Sequence, residues 1–114
     1  FIVRYDPENG IGLYGKGKNY GKLGSVFCYQ LNDNGEEVYL GKCGGGLSDK
    51  DIEYYTNASF PRVWRIKYDA VHSGTGALTY PRFDADRTKQ GDKSLDECFM
   101  NEQIKKARTG DKNE

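Results

Sequence analysis

A mainly β domain is what this sequence predicts, and three observations predict it. Aromatic and β-branched runs such as "FIVRY", "GSVFCYQL" and "RVWRIKYDAV" recur along the chain. Glycine and Asn/Asp clusters that suit tight turns separate them. Within the runs, side chains alternate at the two-residue period of a pleated strand.

The elements follow in order. "FIVRY" is a first strand, and "DPENG" is a turn, with proline early and Asn-Gly late. "GSVFCYQL" is a second strand that sets Val26 and Cys28 on one face and Phe27 and Tyr29 on the other. "NDNG" is a hairpin turn into the returning strand "EEVYLGKC", which "GGGLS" ends. Ser48, with Asp51 three residues on, is a capping pair for a short helix whose Ile52 and Tyr55 share a face. In "RVWRIKYDAV", Trp64, Ile66 and Tyr68 point one way and Arg65, Lys67 and Asp69 the other. "HSGTG" then turns into "ALTYPRF". A second capping pair, Ser94 and Glu97, opens a C-terminal helix with Leu95, Cys98 and Phe99 as its apolar stripe. The domain is expected to span 1–107, with a disordered tail at 108–114. About five strands with a small helix between the third and fourth is the layout of an OB-fold, a five-stranded Greek-key barrel that binds nucleic acid or oligosaccharide.

Composition narrows the function classes. At 114 residues, 36% hydrophobic and 30% charged, the chain is sized for one water-soluble domain. No apolar run is long enough for a membrane span. It begins at Phe1 and its single methionine is Met100, which reads as a domain cut from a longer protein. Cys28, Cys43 and Cys98 are odd in number, form no CxxC pair and have only His72 nearby in kind, so reduced buried thiols in an intracellular, cytoplasmic protein are expected and a metal site is not. Net charge is zero, but it is uneven: residues 1–22 carry +2, residues 23–61 carry −4, and residues 62–93 carry +3. Two basic segments around an acidic middle fit a one-sided surface for a polyanion; charge scattered over a solvated surface is the plainer alternative.

The stretch "GIGLYGKGKNYG" spells both GxGxxG and GxxxxGK. A dinucleotide fingerprint opens a helix, and no helical period follows here; a Walker A loop needs Ser or Thr after its lysine, and Gly17 stands there. Both nucleotide readings fail. What remains is a glycine-rich loop presenting Lys16, Lys18, Tyr20 and Lys22 beside exposed amides, a chemistry suited to phosphodiester contacts without base reading.

The order of these motifs resembles the OB domain of ATP-dependent DNA ligases. A strand, a Gly/Lys loop, an "LGS" strand, an Asn-Gly hairpin, a "GKCGGGLS" turn and a short helix follow one another, and "VWRIKYDAVHSGTGALTYPRF" resembles the family's next strand pair running into a C-terminal motif that begins "PRF". The likeness covers about residues 1–98. It implies a domain that clamps nicked double-stranded DNA and assists adenylation of a lysine in a partner nucleotidyltransferase domain of the same chain, in an enzyme using ATP and Mg²⁺. The lysine's KxDG motif does not occur in this sequence, so the domain alone is not expected to seal nicks or to hold ATP or metal itself. A monomer is expected.

In the family, the C-terminal motif's cations orient the pyrophosphate leaving group. Pro81-Arg82-Phe83 matches its opening; Arg87 matches a later arginine, Ala85 stands where another is usual, and Lys89 and Lys93 compete for the closing cation. The implied leaving-group residues are therefore Arg82, Arg87, Lys89 and Lys93. The implied DNA contacts are Lys16, Lys18, Tyr20, Lys22, Arg65 and Lys67. The plainer alternative has Arg87 and Lys89 pairing with Asp84 and Asp86 across a turn, with Trp64 and most tyrosines in the core and His72 exposed or structural. The departure from the usual motif points to a bacterial or viral, phage-like branch. Two other functions stay open: a free-standing single-strand-binding OB module, and the OB domain of an RNA ligase or capping enzyme.

Overall fold

The computed structural model of the chain describes residues 1–5, 21–91 and 93–109. In chain order the elements are β1 (Ile2–Arg4), β2 (Val26–Leu31), β3 (Glu37–Cys43), α1 (Asp49–Thr56), β4 (Arg62–Lys67), β5 (Ala70–Val71), β6 (Leu78–Thr79), β7 (Arg82–Asp86), α2 (Arg87–Gln90) and α3 (Glu102–Thr109). Five strands form one sheet in the order β3-β2-β1-β4-β7, every neighbouring pair antiparallel, and β5 and β6 form a separate two-stranded ribbon. With α1 between the third and fourth strands, the architecture is OB-like. The barrel is not closed by a ladder: among the described residues its edges meet at a single parallel bridge, Gly45 with Arg82, where the Phe83 N–H donates to the Gly45 carbonyl at 2.8 Å.

Strand alternation decides what lies inside. Val3, Val26, Cys28, Leu40, Cys43, Trp64 and Ile66 are buried in one cluster, joined by Tyr55 from α1 and by Met100 and Ile104 from the C-terminal segment. Burying each aliphatic side chain is worth about 1.5–3 kcal/mol. All three cysteines are free and buried, as their spacing suggested, and contact with Cys43 together with burial pushes the Cys28 thiol up. Ser48 and Asp51 exchange hydrogen bonds at the start of α1, at 3.1 and 3.0 Å, so the capping box forms and turns Ile52 and Tyr55 inward.

The C-terminal region departs from the expected helix. Leu95–Glu97 is one 3₁₀ turn, and the chain then runs extended. Leu31 N–H donates to the Cys98 carbonyl at 2.8 Å, and Met100 N–H to the Leu31 carbonyl at 2.9 Å, so residues 98–100 pair beside the end of β2. Their period is two: Cys98 and Met100 are buried, whereas Leu95 and Phe99 are exposed. Pairing with β2 outweighs helix propensity because it satisfies backbone groups and covers Ile2, Leu31 and Val63, which Cys98 seals into a second small cluster. The helix begins later, where the Asn101 side chain accepts the Ile104 N–H at 2.9 Å.

Candidate nucleic-acid interface

Cations gather at three places. On the outer face of β4, Arg65 and Lys67 project away from the core because Trp64 and Ile66 project into it. A register shift between Arg65 and Ile66 lets Asp84 of β7 reach both: Arg65 Nε is 2.5 Å and Lys67 Nζ 3.6 Å from its carboxylate. The Arg65 hydrogen bond holds the Asp84 carboxyl below its ordinary range, with Lys67 adding to the effect. The cations' side chains are 59% and 67% exposed, so they remain open to a partner.

Arg82 begins β7, opposite Lys67 in register. Its guanidinium turns back on the ribbon, donating to the Tyr80 carbonyl at 2.7 Å and pairing with Asp69 at 3.1 Å. Gly45, Asp69, Tyr80, Pro81 and Arg82 border a cavity of about 370 Å³ there.

At the other end of β7, α2 begins. Asp86 caps it by accepting the Lys89 N–H at 3.0 Å, and Gly91 closes it in the left-handed conformation. The expected strand "ALTYPRF" is split between β6 and β7, and β7 runs on past Phe83 to Asp86, after which Arg87 opens a helical turn. Lys89 Nζ stands 4.5 Å from the Tyr54 ring centroid, and Lys93 borders a shallow cavity with Thr88, Ser94 and Leu95. Nearby on α1, Glu53 holds Lys22 at 2.6 Å.

The suggested pairing of Arg87 and Lys89 with Asp84 and Asp86 is corrected in its acceptors. Asp84 is taken by Arg65 and Lys67. Asp86 is taken by Arg62, whose Nε and Nη2 both approach it at 2.9 Å, and by the Tyr55 hydroxyl at 2.7 Å. Arg82 and the α2 cations stand at opposite ends of β7. Four strand steps part Arg82 from Asp86, about 13 Å at ~3.3 Å per residue. Lys16, Lys18 and Tyr20 lie outside the described residues.

A further face escaped the sequence reading. Trp64 and Tyr55 are buried as expected, but Tyr39, Tyr54 and Tyr80 are exposed. Tyr39 belongs to a row of rings with Phe27 and Tyr29 on the outer side of β2 and β3, flanked by Arg4 and Lys42. The alternation of β2 was legible; which of its faces looked outward was not, because both faces carry apolar residues.

The fold and this arrangement define an OB-like domain with cations on its outer surface. No protein-family model matches the chain, and no curated protein matches it. Among solved structures, the chain is similar to Pmar-Lig_PreS3, a DNA ligase, with a TM-score of 0.53 and 28% sequence identity. The match covers 76% of this chain and 20% of that one, so the chain corresponds to about a fifth of the ligase's length. The likeness is to a ligase-related domain. Among the described residues, no helix is long and apolar enough to cross a membrane.

Proposed function

We propose that this is the DNA-binding OB domain of an ATP-dependent DNA ligase, which holds nicked duplex DNA and, joined to a nucleotidyltransferase domain, assists adenylation of that domain's lysine. The observation that carries the proposal is the likeness to a DNA ligase chain over three quarters of this one. The outer row of Arg65 and Lys67, with Arg82 beside it, supplies the chemistry. Each cation that neutralises a phosphate releases a counterion, so affinity is gained without reading bases. Their present partners are no obstacle, because an exposed ion pair is worth about 0–1 kcal/mol and a phosphate can displace the carboxylate.

Among the described residues, no three His, Cys, Asp or Glu side chains gather where they could hold a metal ion. The described residues supply cations for phosphate, and it is the resemblance to the ligase family that leaves ATP and Mg²⁺ to the partner domain.

Titration of labelled nicked duplex at several salt concentrations tests the reading. Binding in the range of roughly 10⁻⁴ to 10⁻⁶ M is expected, falling as salt rises. Replacing Arg65 and Lys67 together with alanine is expected to flatten the slope of log affinity against log salt by about 2. The Lys16, Lys18 and Lys22 triple alanine variant tests the glycine-rich loop in the same way. Salt-independent binding, or no binding, would overturn the assignment.

A further inference from the structure

The outer side of β2 and β3 presents rings that the cationic row of β4 does not use. Across three strands, Arg4, Phe27 and Lys42 stand in one row, and Tyr29 and Tyr39 in the next. The Tyr39 ring packs against Phe27 at 6.0 Å and Tyr29 at 5.6 Å between centroids, both tilted. Lys42 Nζ lies 5.8 Å from the Phe27 centroid. At the other flank, Glu37 grips Arg4 through two hydrogen bonds, at 3.0 and 2.6 Å, which fixes the guanidinium beside the rings. Beyond Phe27 and Tyr29 the surface dips into a cavity of about 310 Å³.

Tyr39 is 49% exposed, so it adds little to the core, yet it is held in place by two neighbouring rings. Rings fixed side by side on an open sheet offer π-faces, and every nucleobase has a matching face. The charge here is light: two cations, one of them already paired with Glu37. That balance suits a partner held mainly by stacking, with phosphate attraction second. Bases inside a duplex are already stacked and show only their edges in the grooves. Only an unpaired base can lie on these rings.

We infer that Phe27, Tyr29 and Tyr39, flanked by Arg4 and Lys42, form a stacking surface for unpaired nucleobases of DNA, such as those of a frayed or gapped strand beside a break. This rests on the DNA-binding reading above and deepens it, giving the domain one face for duplex phosphates and another for exposed bases.

Fluorescence anisotropy of the wild-type chain, Tyr39→Ala and Tyr39→Phe tests it, with three labelled probes: oligo(dT), a continuous duplex, and the same duplex with a single-stranded gap. Tyr39 is too exposed for its loss to unfold the domain, and thermal melting of each variant checks this. Tyr39→Ala is expected to weaken oligo(dT) and gapped-duplex binding by about 5- to 150-fold, the worth of one stacked base. Its affinity for continuous duplex is expected to stay unchanged, and Tyr39→Phe to bind all three probes as wild type does. If Tyr39→Ala binds oligo(dT) as wild type does, or loses continuous duplex equally, the stacking surface is refuted. If wild type binds duplex but not oligo(dT), the inference falls while the DNA-binding reading stands. If it binds neither, or takes a neutral oligosaccharide instead, both fall.

Discussion

Asp86 and Asp84 stand two residues apart on one strand and do opposite things. Asp86 and Arg62 are buried, their side chains 4% and 9% exposed. The Asp86 carboxylate accepts from Arg62, from the Tyr55 hydroxyl and from the Lys89 amide, which satisfies it in the absence of water. Burial and the Asp86 hydrogen bond drive the Tyr55 phenol well above its ordinary value, so it stays a neutral donor at any working pH. Asp86→Ala strands a buried guanidinium and is expected to destabilise the domain by about 3–5 kcal/mol in denaturant titrations. A loss within the ordinary surface range would show that Arg62 finds another partner. Asp84 is the converse case: its neighbours are exposed, so Asp84→Asn is expected to leave the denaturation midpoint nearly unmoved. It frees Arg65 and Lys67, and is expected to tighten duplex binding at low salt. Because the folded-state carboxyl is held low, it stays charged until the pH falls below the usual carboxylate range, and the gain from Asp84→Asn persists throughout neutral and mildly acidic pH. Any stability from this contact is present above the unfolded-state pKa and lost as pH falls through the folded-state value. Weaker duplex binding by Asp84→Asn would remove Arg65 and Lys67 from the interface.

At the scale of elements, the glycine run after β3 is where the sheet's edges meet. A Cβ on Gly46 would lie 2.7 Å from the Phe83 carbonyl oxygen and 2.9 Å from its nitrogen, and φ is +83°. Gly46→Ala therefore combines a backbone clash with left-handed strain, whereas Gly35→Ala, in the hairpin at φ +79° with open space around it, carries the strain alone. The strain costs roughly 1–2 kcal/mol. Gly46→Ala is expected to lose clearly more than Gly35→Ala in denaturant titrations; equal losses would mean that the seam yields at no cost. The sequence shows this run only as a strand terminator, since nothing local reveals which strand will lie against it. The same limit applies to the C-terminal segment. The Glu97 carboxylate does accept the Ser94 N–H, as the capping pair read from the sequence requires, but the pattern cannot show that β2 offers Leu31 as a backbone partner to residues 98–100. Capping pairs, the Asn-Gly hairpin and strand alternation were legible because their partners lie within a few residues. Arg62 with Asp86, 24 residues apart, was not.

At the scale of the whole molecule, the ends of β7 divide the candidate leaving-group cations. Arg82 lies in register with Lys67, beside the row proposed to face duplex phosphates. Arg87, Lys89 and Lys93 lie at or just beyond α2, at the opposite end, with Lys22 on the neighbouring α1 side. About 13 Å of strand separates their backbones, and Asp69 and the Tyr80 carbonyl hold the Arg82 guanidinium at the ribbon, so the two ends are expected to serve different steps. In the full-length ligase proposed above, Arg87→Ala and Lys89→Ala are expected to slow lysine adenylation by about 10²–10³-fold, the usual cost of a charge-assisted contact made only in the transition state. They are expected to spare sealing of a pre-adenylated nick, because pyrophosphate has by then departed. Arg82→Ala is expected to show the reverse: near-normal adenylation, with sealing that weakens further as salt rises. Single-turnover assays of the two steps separate these outcomes, and Lys93→Ala in parallel identifies which lysine acts with Arg87. Should Arg82→Ala abolish adenylation as Arg87→Ala does, both ends of β7 would have to face the nucleotide, and the assignment of Arg82 to the DNA face would be wrong.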